Sequence, residues 1–242
     1  MRYLMLVRVP EDADPTPEEA DPTVWHAEAL RRGQYLFGER LRPPSDATTV
    51  HTWGGELTVT HGPFAEVAEQ IAGFDLLDVA SPEEAIEVAA GHPVARFGSL
   101  ELRRVWPHEE GPDGWSPVDA PREDGDLLPG ESTYLLLMAA VPGAPQDDRD
   151  VDGLTTGQWI EEMGRRDADR GGAPLRPAGE AVTVRVRDGR TLVTHGPYAE
   201  LAEQVAGYNL LDVPDLDAAL DAAGSHPAAR VGVIEVRPLW PM

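Results

Sequence analysis

The chain opens on a short apolar run, Tyr3-Leu4-Met5-Leu6-Val7, and the same pattern returns as Tyr134-Leu135-Leu136-Leu137-Met138. Continuous apolar runs of this length predict buried strands. Each run is followed by a Val-Pro pair, Val9-Pro10 and Val141-Pro142, and then by an acidic, Pro-containing loop. A helix is predicted to start near Trp25, and another near Trp159; they carry the pairs Arg31-Arg32 and Arg165-Arg166. After Leu41-Arg42-Pro43 and its twin Leu175-Arg176-Pro177, polar and apolar residues alternate over Thr48–Thr52 and Val182–Val186, the pattern of half-buried strands. Gly54-Gly55 and Asp188-Gly189 supply tight hairpin turns back into Glu56–Thr60 and Arg190–Thr194. Ala72–Val79 and Ala206–Val213 read as further strands. Ser81-Pro82-Glu83-Glu84 is a helix start, with Ser as N-cap and Pro at the first helical position, and Asp215 takes the cap in the second case. Strands at Leu100–Val105 and Val233–Val236 close the two patterns.

The recurrence extends to the residues themselves. Between His61–Pro107 and His195–Pro241, 25 of 47 positions are identical without a gap. An offset of 134 residues is too long for a solenoid repeat and marks two copies of a whole domain. The boundaries follow: a first copy over 1–107, an acidic linker rich in Pro and Gly over 108–132, and a second copy over 133–242. Each copy reads as strand, helix, hairpin strands, strand, helix, strand. That order predicts an α+β fold, a ferredoxin-like βαββαβ plait with an additional strand. The linker is long enough for the two sheets to pack face to face, so an internal pseudo-dimer is expected.

Composition narrows the function. The formal charge is -23, from 43 acids against 20 bases, and every base is Arg. Such a balance opposes nucleic-acid binding, which needs clustered cations at phosphates. No apolar stretch is long enough for a membrane span, and the mixed N-terminus reads as a strand rather than a secretory signal, so a cytoplasmic protein is expected. Without cysteine there is no disulfide, thiolate metal site or thiol nucleophile. Neither a phosphate-binding glycine loop nor a close histidine ligand pair occurs, and no bound metal or cofactor is expected.

The candidate chemistry lies at repeated residues. His61 and His195 follow a strand and start a Gly-Pro turn; imidazole there can serve as an acid-base group or bond its own turn. Glu66 and Glu200, five residues on, are candidate orienting carboxylates or plain solvated acids. His92-Pro93 and His226-Pro227 fall at helix C-termini, where a protonated ring meets the helix dipole favourably, and they are catalytic candidates as well. Arg42, Arg176, Arg103 and Arg237 can bind an anionic substrate or offset the acid excess. Trp25 and Trp159 read as hydrophobic anchors.

In these residues the chain resembles the YCII-related proteins of the DGPF type. The resemblance rests on His61-Gly62-Pro63-Phe64-Ala65-Glu66, Glu69-Gln70, Gly73-Phe74 and Glu101-Leu102-Arg103. The second copy matches with His195-Gly196-Pro197-Tyr198-Ala199-Glu200, Glu203-Gln204, Gly207-Tyr208 and Glu235-Val236-Arg237-Pro238. It implies a dimeric α+β barrel fold. Related YCII domains include a dehydrochlorinase, and a His-Asp acid-base pair has been proposed in others. The resemblance also implies an association with extracytoplasmic-function sigma factors. Two departures stand out: the motif's leading Asp is His in both copies, and the Lys before Glu-Gln is Ala68 and Ala202. The leading expectation is a small-molecule pocket in each copy, between sheet and helices, with lyase- or isomerase-like chemistry on His61 and His195. The alternative is a regulatory interaction module whose acidic loops meet a basic protein partner. Further homodimerisation is compatible with either.

Overall fold

The computed structural model describes residues 1–107, 132–140, 154–199 and 203–240. The expected linker up to residue 131, the Val141-Pro142 pair and Glu200 lie outside the described residues. In chain order the first half contains β1 (Arg2–Pro10), α1 (Pro17–Ala20), α2 (Thr23–Arg31), β2 (Tyr35–Arg40), β3 (Thr48–Trp53), β4 (Glu56–His61), β5 (Glu69–Asp78), α3 (Pro82–Gly91) and β6 (Ser99–Arg104). The second half contains β7 (Thr133–Ala140), α4 (Thr156–Arg165), β8 (Asp169–Pro174), β9 (Val182–Arg187), β10 (Arg190–His195), β11 (Gln204–Asp212), α5 (Leu216–Ser225), α6 (Ala228–Val231) and β12 (Gly232–Pro238).

The strands form two six-stranded antiparallel sheets, ordered β10-β9-β6-β1-β5-β2 and β4-β3-β12-β7-β11-β8. The four strands β6-β1-β5-β2, and likewise β12-β7-β11-β8, have the ferredoxin-like order, so each unit is an α+β plait. The second strand of each plait is β2 or β8. Neither is announced by alternation: β8 reads Asp-Arg-Gly-Gly-Ala-Pro, and β2 pairs with β5 through a bulge between Tyr35 and Phe37.

The alternating hairpins do not complete the sheet of their own copy. The β9–β10 hairpin pairs onto β6 through Leu100 and Val184, Glu101 and Thr183, and Leu102 and Val182. The β3–β4 hairpin pairs onto β12 by the equivalent register, with Ile234 opposite Val50. The compact units therefore comprise residues 1–41, 66–105 and 175–200 in one case, and 42–65, 106–174 and 201–242 in the other. Val184 and Val50 are both fully buried in the core of the unit that receives them. Both hairpins turn with positive φ, at Gly54 and Gly55 (58° and 83°) and at Asp188 and Gly189 (51° and 70°), as their Gly-Gly and Asp-Gly pairs predict.

Local capping follows the sequence. Ser81 accepts from the Glu84 N–H at 3.2 Å and Asp215 from the Ala218 N–H at 2.9 Å. In the first unit, one sheet face packs Met5, Val7, Leu77, Leu100 and Leu102 against Ala85, Val88 and Ala89 of α3. Trp25 anchors α2 there by donating to the Val88 carbonyl at 2.9 Å, and Trp159 donates to the Ala222 carbonyl at 2.9 Å in the other unit. Among the described residues, no helix is long and apolar enough to cross a membrane.

Candidate functional site

The repeated motifs converge on a clamp that holds each received hairpin. Within the first unit, Glu101 accepts from the Tyr198 backbone N–H at 3.3 Å, and Arg103 donates to the Arg176 carbonyl at 3.3 Å. Within the second, Glu235 accepts from the Phe64 N–H at 3.0 Å, and Arg237 donates to the Arg42 carbonyl at 2.8 Å. One side chain thus grips the chain before the hairpin and the other grips it after the His-Gly-Pro turn. Arg103 and Arg237 are almost completely buried, as are their carboxylate partners. A buried guanidinium bonded to carboxylate and carbonyl is fixed in place and has no route to an exposed substrate. Nearby cations and the Tyr198 N–H hold Glu101 below the usual carboxylate range despite its burial. Arg42 and Arg176 point outward instead, each in an i,i+4 ion pair, with Asp46 and Glu180 respectively, both at 2.7 Å.

The histidines divide into two kinds. His61 and His195 end the outermost strands β4 and β10 and are exposed, so both imidazoles stand in water. Glu66 is exposed as well. His92 and His226 are buried, and they cap in the opposite sense to the one their helix position suggests. Each ring accepts a backbone N–H through Nδ1, from Val94 at 3.2 Å and from Ala228 at 3.0 Å. An accepting Nδ1 fits a neutral ring, and burial lowers His92 to about 4. Both rings also stand edge-on to a tryptophan, Trp25 at 4.5 Å and Trp159 at 4.6 Å. They start the turn that follows the helix, rather than placing positive charge at the helix end.

The group with the most unusual environment is Asp75. It pairs with Met5 and Gly38 in neighbouring strands, which places it on the helix-facing side of the sheet. Only 8% of the residue is exposed, and the carboxyl has no hydrogen-bond or ion-pair partner among the described residues. Burial, with a smaller push from Glu39, raises its pKa to about 8. A side chain at residue 38 would collide with it, since a Cβ there would lie 2.2 Å from Asp75 Oδ1; Gly38 makes the space. Tyr35, on the same strand as Gly38, donates to the Gly38 carbonyl at 3.0 Å, and burial raises its phenol well above its ordinary value. The His26 ring stands edge-on to Tyr35 at 4.4 Å.

None of these three residues is repeated. The equivalent positions in the second copy are Asn209, Asp169 and Ile160. Asn209 is buried like Asp75 and lies as close to Gly172 as Asp75 lies to Gly38. The space is kept while the titratable group is lost. The signal that pointed to these residues was present in the sequence, in the differences between the copies rather than in their identities. Separately, an open surface pocket of about 370 Å³ follows β1, lined by Pro10, Asp12, Arg96 and Phe97 among others, and no candidate named above lines it.

Two α+β units of ferredoxin-like strand order, each completed by an edge hairpin from the other sequence copy, define the class as a tandem plait protein. The chain belongs to the YCII-related domain family, whose model matches residues 1–109 and again 134–242. It is also similar to an uncharacterized protein of Rhizobium meliloti (strain 1021), 45% identical over 69 residues. That match covers 28% of this chain and 56% of the relative.

Proposed function

We propose that the protein binds a small molecule on the helix-facing side of its first unit and transfers a proton to it, with Asp75 as the acid-base group. The observation that carries this reading is a nearly buried carboxyl with no partner among the described residues, lodged in the space that the missing side chain of Gly38 leaves for it. A carboxyl raised to about 8 keeps its proton at neutral pH, so the first step is donation, and the carboxylate left behind recovers a proton in the second. Such a cycle suits isomerase- or lyase-like chemistry on an enolisable carbonyl compound. Tyr35 and His26 flank the site and supply an aromatic wall with polar edges. The acid-base role expected of His61 and His195 moves to Asp75, because a proton-transfer group works best shielded from bulk water.

The test is a carbon-detected NMR titration of the Asp75 carboxyl in the full chain. A midpoint near 8 is expected, and one near the ordinary carboxylate value overturns the proposal. Deuterium incorporation into a panel of enolisable keto acids then separates enzyme from binding module. The wild type exchanges at least one of them and Asp75→Asn does not; binding without exchange in both favours a regulatory module.

A further inference from the structure

The clamp of the second unit serves as an internal control for that of the first. Glu235 and Arg237 bond to each other at 2.9 Å and hold their hairpin where the second unit has Ala139, His51, Phe64 and Val233. At the same positions the first unit has Arg8, Arg185, Tyr198 and Ser99. These four polar side chains are therefore not needed to fold or clamp a plait of this kind. They nevertheless gather at one place. Arg8 donates through Nε to Glu101 at 2.9 Å, and its guanidinium lies 5.1 Å from the centre of the Tyr198 ring. Arg185 lies 5.5 Å from the centre of the same ring and meets Glu69 at 3.4 Å. Ser99 donates to the other oxygen of Glu69.

Arg8 is only 7% exposed, yet its two terminal nitrogens have no hydrogen-bond partner among the described residues. Arg185 makes a single long bond and is partly open to solvent, so the cluster has an entrance. These two nitrogens are not sealed from solvent, so an incoming anion can accept from both. Arg8 and Arg185 thus bring two guanidinium groups to one aromatic ring, in a chain whose total charge is -23.

From this we infer that the first unit has a binding site for a small monocarboxylate, on the sheet face opposite the one that carries Asp75. The carboxylate accepts from the terminal nitrogens of Arg8 and from Arg185, in the planar forked geometry that guanidinium favours. Tyr198 forms an aromatic wall beside it.

The test uses the full chain with acetate and benzoate as probes, inorganic phosphate and benzamide as comparisons, and calorimetry as the readout. The decisive variant combines Arg8→Ala, Arg185→His and Tyr198→Phe, three residues with which the second unit already folds. Saturable benzoate binding by the wild type is expected, weakened at least about tenfold in the triple variant, with benzamide not bound. Thermal melting of that variant checks that it remains folded, and a second variant, Arg185→His alone, is expected to weaken benzoate if the triple variant unfolds. Asp75→Asn is expected to leave benzoate binding unchanged, which separates failure here from failure of the acid-base reading. Absence of saturable benzoate binding by the wild type, equal binding by the variants, or a preference for phosphate overturns the inference.

Discussion

In the second unit, Glu235 has a single arginine partner among the described residues, Arg237, and the strand corresponding to β1 carries Ala139. In the first, Glu101 is shared: Arg8 takes one oxygen at 2.9 Å, and Arg103 keeps the other at 3.4 Å. On the helix-facing side the same contrast recurs, with Asp75 and His26 in the first unit against Asn209 and Ile160 in the second. What the units share holds hairpins in place; at these two positions the first unit has a carboxylate shared by two buried arginines and, among the described residues, a buried carboxyl without a hydrogen-bond or ion-pair partner. A duplicated domain needs its fold twice but its chemistry only once, so the differences point to chemistry more directly than the identities do.

Breaking the clamps gives the largest expected effect. Glu101→Ala removes a carboxylate shared by two buried arginines, Arg8 and Arg103, whereas Glu235→Ala removes one that bonds to Arg237. Removing one partner of a buried ion pair costs about 3–5 kcal/mol. Urea denaturation is expected to place Glu101→Ala at the upper end and Glu235→Ala at the lower; the reverse order would show that Arg8 adds nothing to the clamp.

Exchanging Asp75 and Asn209 gives a smaller, pH-dependent effect. With its folded pKa raised, Asp75 holds a proton in the native state that the unfolded chain has released, so stability falls as pH rises toward 8. Asp75→Asn removes that slope. From pH 6 to pH 8 the variant gains between about 2 and 3 kcal/mol on the wild type, the slope being about 1.4 kcal/mol per pH unit near pH 6 and half that at pH 8. Asn209→Asp is expected to bring the same slope into the second unit, since the surrounding space is equivalent. A flat difference across that range would show that Asp75 is solvated.

The smallest effect concerns His92. Its folded pKa is lowered, so the stability it contributes is present above its unfolded value and is lost as pH falls toward 4. Between pH 6.5 and 5 the loss attributable to His92 is about 2 kcal/mol, read as the difference in urea stability between wild type and His92→Asn. Proton NMR is expected to show the His92 ring protonating near 4, well below the ordinary imidazole range. A His92 midpoint at the ordinary imidazole value would sink its buried, accepting role.

Much of the fold could be read locally because local chemistry dictates it. The apolar runs at Tyr3–Val7 and Tyr134–Met138, the caps at Ser81 and Asp215 and the positive-φ turn pairs each act over a few residues, and each forms as its sequence predicts. β8 escaped because glycines and a proline occupy a strand that pairing, not propensity, stabilises. His61 and His195 drew notice by repetition alone, and repetition here tracks a turn that Glu235 and Glu101 grip from a distance.

By itself the sequence determined the duplication, the α+β class and the position of most elements, since periodicity and capping are properties of neighbours along the chain. Only the tertiary structure decided which sheet each hairpin joins, because Leu41-Arg42-Pro43 and Leu175-Arg176-Pro177 lead out of one unit and into the other. It also decided that Arg8 and Arg185, 177 positions apart by their numbers, flank a single tyrosine. Burial sets the proton affinity of Asp75, and burial arises from residues distant in sequence that the fold alone brings together.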